Sequence, residues 1–146
     1  MSENLYPTVR VADIPADRRR GGDLRTLLTP SRCGSTSGFM GVVKLEPGDV
    51  VTEHYHPYSE EFLYCVSGSV TLRLDGQPRP LGAEEAVLIP IGVRHRLENH
   101  GTETAHLVFQ LAPLAPRPEL GHVDTEEPRV VSAVLPEGAV VGEAPR

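Results

Sequence analysis

Residues 48–68 read GDVVTEHYHPYSEEFLYCVSG, and this stretch decides the fold. His54 and His56 are one residue apart, so on a β-strand both imidazoles project from one face while Tyr55 points to the other. Two imidazoles held side by side on a strand form half of a transition-metal site. Pro57 then breaks the strand, because it cannot donate to a ladder. The chain turns through Tyr58 and Ser59 and returns with Glu60 and Glu61 heading a second apolar run over 62–66. A carboxylate is thereby brought back beside the histidines.

The second half of the pattern is PIGVRHRLEN, residues 90–99, where Pro90 and Gly92 mark a turn and His95 opens another apolar-alternating segment. Together the two stretches resemble the paired motifs of the cupin superfamily. Gly48, His54, His56, Glu61 and Gly68 fall on the positions of the first motif, and Pro90, Gly92, His95 and Asn99 on those of the second. In one place the sequence departs from the pattern. The glycine that usually stands six positions before the proline is Glu84 here, with Gly82 nearby. That glycine serves a turn, so the substitution bears on loop geometry rather than on metal ligation.

The rest of the chain is consistent with a small all-β protein, and the resemblance implies a single cupin β-barrel, a double-sheet jelly roll. Short apolar or alternating runs fall at 39–45, 49–56, 61–66, 69–74, 86–89, 95–97 and 105–111, with Gly/Pro punctuation between them. Val70, Leu72 and Leu74 alternate with Ser69, Thr71 and Arg73, and Asp75-Gly76 is a two-residue hairpin signal. Residues 38–112 are the expected barrel. Residues 1–37 form a polar N-terminal arm whose pieces at 5–11 and 24–28 are candidate edge strands, although 23–28 also suits a helical turn. Residues 113–146 read as a Pro-rich, acidic tail, expected to be partly packed and disordered at its end, with 130–135 a candidate to pair with an edge, including that of a second subunit.

Composition narrows the class. At 146 residues and 39% apolar content the chain suits one domain with a real core. A net charge of −6 argues against a general nucleic-acid surface. Arg18-Arg19-Arg20 is too short a basic run to be more than a solvated face or a set of contacts with acidic residues elsewhere. No apolar stretch approaches 18 residues, residues 1–6 lack the basic and apolar regions expected of a signal peptide, and Cys33 and Cys65 make no disulfide framework, so a cytoplasmic setting is expected.

Three neutral imidazoles and a carboxylate suit a divalent transition metal, with zinc the first expectation and iron, nickel or manganese the others. His54, His56 and His95 are the expected ligands. Glu61 keeps the spacing to Gly68 and is the preferred fourth, while His122, in PELGHVDTE, takes that place if the turn at Tyr58-Ser59 carries the chain outward. An open coordination position lets a metal polarise a carbonyl or acidify water, and a barrel mouth supplies an apolar-walled pocket. His106, at the start of the last barrel strand, and Glu60 are the candidates for a general base.

A narrower resemblance covers residues 5–127. The segments GSTSGFMGV, EHYHPYSEEFLY, PIGVRHRLEN and LAPRPELGHVDTE resemble the small single-domain cupins of bacterial aromatic polyketide clusters, of tetracenomycin, resistomycin and spore-pigment type. The resemblance implies a homodimeric, metal-dependent polyketide cyclase. Such an enzyme closes a poly-β-ketone chain, carrier-bound or released, into fused aromatic rings by aldol chemistry, with polyketide synthase components as partners. A metal-dependent oxygenase acting on an aromatic substrate uses the same ligands. A non-catalytic binding subunit of a synthase complex is the alternative from a different class.

Overall fold

The structure, a computed structural model, describes residues 6–127. Within them ten strands form two five-stranded antiparallel sheets. Along the chain these are β1 (Asp23–Leu28), β2 (Phe39–Leu45), β3 (Val50–Tyr55), β4 (Glu60–Ser67), β5 (Ser69–Leu74), β6 (Gln77–Gly82), β7 (Ala86–Ile89), β8 (His95–Glu98), β9 (Ala105–Ala112) and β10 (Val123–Asp124). The first sheet runs β1-β2-β9-β4-β7 and the second β10-β3-β8-β5-β6. From β2 onward the chain crosses repeatedly between the sheets, the jelly-roll arrangement expected of the spacing.

The two sheets bury their facing sides against each other. Alternation along β9 turns Ala105, Leu107, Phe109 and Leu111 inward. They meet Leu63 and Cys65 of β4, Val43 and Leu45 of β2, and Val70, Leu72 and Leu97 of the other sheet in one apolar cluster. Phe39 and Phe109 pack edge to face with ring centroids 6.2 Å apart. Cys65 is fully buried in this core, as its apolar neighbours suggest.

The turn chemistry explains much of the motif. Gly68 has φ +76, and a Cβ there would stand 2.5 Å from the Thr104 carbonyl oxygen, so both conformation and space require glycine. Asp75 and Gly76 both take positive φ, 49° and 84°, and close the β5–β6 hairpin. Glu84 also sits at positive φ, 67°. The turn geometry therefore persists with glutamate in place of glycine, while the Glu84 amide donates to the Cys65 carbonyl at 2.7 Å.

Several elements differ from expectation. Residues 23–28, open between strand and helical turn, are the edge strand β1, paired with β2 and bulged between Thr26 and Leu28. Val11–Asp13 is a 3-10 turn, so the piece at 5–11 is no strand over its described part. Strand β6, absent from the expected set, contains Pro78 and Pro80. Strand β6 pairs only with β5, and an edge strand tolerates residues that cannot donate to a ladder. Past the cis Ala112–Pro113 bond the chain makes a 3-10 turn at Pro118–Leu120 and adds β10 to the edge of β3. The segment 130–135 lies outside the described residues. No helix among the described residues is long and apolar enough to cross a membrane.

Candidate metal centre

The site is built on β3 and β8 at the β10 side of the second sheet. The β3–β8 ladder shifts register between Val51 and His54, a bulge that lets two residues three apart both face the interior. His54 pairs directly with His95 across the ladder. His56 follows β3 immediately before Pro57 and faces the same way, and its carbonyl accepts from Gly92 at 3.0 Å. All three imidazoles are buried, and their ring centroids are 4.3, 5.0 and 5.1 Å apart. One nitrogen from each lies within 4.8 Å of the others. A tetrahedral ion bound at about 2.0–2.1 Å holds its nitrogens ~3.3 Å apart, so a small contraction suffices.

Backbone contacts decide which nitrogens face inward. The Nδ1 atoms of His54, His56 and His95 lie 2.8, 2.9 and 2.9 Å from the carbonyl oxygens of Thr52, Gly121 and Val93. A carbonyl only accepts, so each Nδ1 carries a hydrogen, and Nε2 is the ring nitrogen left to face the interior, with a free lone pair in the neutral imidazole. Outer contacts of this kind fix tautomer and ring orientation in metal-binding histidines.

Glu61 approaches the three histidines from the opposite sheet, beside His56 and His95. Alternation along β4 turns Glu61, Leu63 and Cys65 inward and Glu60, Phe62 and Tyr64 outward. A Glu61 carboxylate oxygen lies 3.2 Å from Nε2 of both His56 and His95. Burial opposes ionisation of Glu61, but its contacts with His56 and His95 outweigh that and hold the carboxyl far below its usual range. Burial likewise opposes a charge on His95, and the adjoining Glu61 overcomes it and raises its pKa. His54 moves the other way, kept neutral by burial and by His95 and His56 beside it.

These residues fit a divalent ion. The His95 Nε2 is fully buried without an aligned hydrogen-bond partner, although the Glu61 oxygen is close. A buried polar atom left in this state is costly unless something else satisfies it, and an ion accepting three Nε2 lone pairs and a carboxylate does so. The donor set is that of zinc, iron, nickel or manganese.

The cavity at the cluster is about 30 Å³ and otherwise apolar, walled by Val51, Leu63, Leu97 and Phe109 among others. It has room for an ion and a water-sized group, far less than the open barrel mouth expected from the sequence. Leucine and phenylalanine side chains fill the remaining interior, and Leu114, in the segment that returns after β9, packs against the same core.

Other sequence candidates lie elsewhere. His106 stands between the inward-facing Ala105 and Leu107 on β9, so its side chain is on the outer face, level with Lys44 of β2. Strand alternation therefore removes it from the cavity, as it does Glu60. His122 lies on the returning segment, half-buried, with Nδ1 enclosed and unpartnered. It is near enough to His56 for the charges to interact, and its pKa is pushed down to about 4, first by burial and then by Arg20. It falls outside the group of three converging histidines.

Two contributors had no signal in the sequence. One is the Gly121 carbonyl, 65 residues from the histidine it orients. The other is Arg20, only 6% exposed, whose guanidinium pairs with Asp124. Arg18 pairs with Asp23 and Arg19 with Asp17, so the arginine run makes contacts with acidic residues and is not a binding patch.

The Cupin domain family matches residues 41–110, the span that holds both histidine motifs. Protein SchB of Streptomyces halstedii is 56% identical over 127 residues, covering 87% of this chain and 92% of that protein. The tetracenomycin polyketide synthase protein TcmJ of Streptomyces glaucescens is 51% identical over 118 residues, covering 81% and 79%. Among solved structures, a protein with a double-stranded β-helix domain from Klebsiella pneumoniae superposes with a TM-score of 0.66 at 19% identity, over 82% of this chain and 97% of that one, a likeness of fold alone. On the identity and coverage of its relatives, this chain belongs to the cupin superfamily and, within it, to the small cupins of polyketide synthase clusters.

Proposed function

We propose that this protein is a metal-dependent polyketide cyclase that closes a poly-β-ketone chain into fused aromatic rings. The observation that carries the metal half of this reading is the set of three Nδ1–H to carbonyl contacts, which aim three Nε2 lone pairs at one point. The polyketide half is supported by the similarity to TcmJ, named as a tetracenomycin polyketide synthase protein. His54, His56, His95 and Glu61 would hold the ion, with zinc the metal proposed. A bound Lewis-acid metal polarises a carbonyl and makes the neighbouring methylene more acidic, which is what an intramolecular aldol closure needs.

The chain's own residues supply the surroundings. The apolar walls exclude bulk water and strengthen the electrostatics of the cluster. The cavity is too small for a poly-ketide chain. In this reading only the reacting dicarbonyl is presented at the histidines, and the rest of the polyketide lies outside the barrel. The outer face of the first sheet carries Phe62, Tyr64 and Leu88, 45, 40 and 47% exposed, around a groove also lined by Val108. Such a patch suits a second copy of the chain and supports a homodimer.

The test is a reconstituted synthase supplied with this protein, with its metal-stripped form, or with the His54→Ala variant. A defined ring pattern that appears only with the metal-loaded protein is expected. The same ring pattern with all three would leave a binding role, not catalysis. The oxygenase alternative draws support from the cavity, which admits a water-sized reagent beside the histidines. Oxygen uptake during turnover would favour it over the cyclase.

A further inference from the structure

The three histidines are not oriented in the same way. His54 and His95 each donate Nδ1–H to a carbonyl two residues earlier on their own segments, Thr52 and Val93. Those contacts come with the local backbone. His56 donates instead to Gly121, on the segment that returns over the end of β3. The third imidazole is therefore aimed only while that segment is in place.

Polar contacts fasten the segment just beyond Gly121. Asp124 accepts from Arg20 Nε at 2.7 Å and from Nη2 at 3.4 Å. Arg20 is in turn tied to β3, its carbonyl accepting from the Thr52 amide at 2.9 Å. Val123 and Asp124 pair with Tyr55 and His54. Glu126 accepts from the Glu53 amide and from Arg96, and the Thr125 amide donates to the Glu53 carbonyl. Of these, the Arg20–Asp124 pair stands out because the guanidinium is 6% exposed while the Asp124 side chain is 32% exposed. A nearly buried cation with one solvent-facing partner makes a contact that is costly to break but open to water from one side.

We propose that Asp124 is a positioning residue of the metal centre. Through Arg20 it holds the returning segment so that the Gly121 carbonyl fixes the His56 tautomer and points Nε2 at the ion. This inference rests on the metal reading above for its consequence, but the orientation of His56 is measurable without metal. Loss of an outer contact to a metal-binding histidine typically weakens metal affinity ten- to a hundredfold.

The experiment combines zinc competition titration with NMR of the histidine Nδ1–H groups in metal-free, ¹⁵N-histidine-labelled full-length protein. Asp124→Ala should weaken zinc binding about tenfold and speed exchange of the His56 Nδ1–H, leaving those of His54 and His95 protected. Asp124→Glu, which keeps a carboxylate on a side chain 32% exposed in the native protein, should retain both. Equal loosening of all three signals would mean a purely structural role and overturn the proposal, as would wild-type zinc affinity with a protected His56 signal. If Asp124→Ala folds poorly, Asp124→Asn keeps the size and loses the charge, and the same two outcomes decide. A wild-type protein that takes up no zinc, with three protected signals, would overturn the metal reading, and the exchange result would still decide the role of Asp124.

Discussion

Asn99, the last residue of the second motif, gives the sharpest prediction about what the motif does. It is 1% exposed, its Nδ2 donates to the carbonyls of Leu45 and Glu103, each at 2.8 Å, and its Oδ1 accepts from the Gly101 amide at 2.9 Å. One side chain thus joins the end of β2, the end of β8 and the turn into β9. Asn99→Ala removes all three contacts. An unmet buried polar group costs about 1–3 kcal/mol. Gly101 and Glu103 lie in an exposed turn where water can replace the lost partner, whereas Leu45 is fully buried. The expected loss is therefore ~3 kcal/mol, roughly a 10 °C fall in Tm for a domain of this size. Asn99→Asp should be worse, although it looks milder. Both carbonyls would then face a carboxylate oxygen in place of a donor, and a buried charge is added. That carboxyl would have a folded pKa above its unfolded value near ~3.9. Its penalty is therefore smallest below about pH 4 and grows as pH rises towards the folded pKa. Urea unfolding in chelator, followed by circular dichroism and tyrosine fluorescence, measures both variants without a metal contribution. A loss under about 1 kcal/mol for N99A, or N99D more stable than N99A at pH 7, would refute the reasoning.

Three further outcomes are expected. Glu84 occupies positive φ where glycine carries no steric penalty, so E84G should raise stability by about 0.5–1 kcal/mol, read as a higher urea midpoint; a lower midpoint would show that the glutamate is favourable there. Burial works against ionisation of Glu98, but Arg73, His100 and Arg96 around it win and lower its pKa to about 2. Its depressed pKa contributes stability in full above about pH 4.5 that is lost as pH falls towards 2, so E98Q should flatten the acid limb of the stability profile. Leu88→Glu places a charge in the exposed apolar face and should turn a dimer into a monomer by sedimentation, with metal content unchanged.

Much of the site was legible because strand alternation is rigid. Once 49–56 and 61–66 read as strands, His54 and His56 share one face and only one of Glu60 and Glu61 can join them; the spacing to Gly68 favours Glu61, and it is Glu61 that faces inward. The same rule, applied to β9, would have turned His106 outward. Ala105, Leu107, Phe109 and Leu111 are the apolar set, and His106 is out of phase with them. Glu60 was likewise excluded as soon as Glu61 faced inward. The contacts that orient His56 were not legible, because a backbone carbonyl has no sequence signature and Gly121 is 65 residues away. Strand β6 was hidden by Pro78 and Pro80, whose usual meaning holds for central strands and fails at an edge. The size of the cavity depends on how leucine and phenylalanine side chains fill the interior, which spacing does not encode.

The central claim, that three tautomer-fixed histidines and Glu61 form a metal centre, is tested most directly by the metal content of the purified native protein beside that of His54→Ala, with X-ray absorption on the loaded form. About one divalent ion per chain, with histidine nitrogen at ~2.0–2.1 Å and loss of the ion in the variant, is the predicted result. A native protein that neither carries nor takes up a divalent ion, or that holds it equally well without His54, would contradict it.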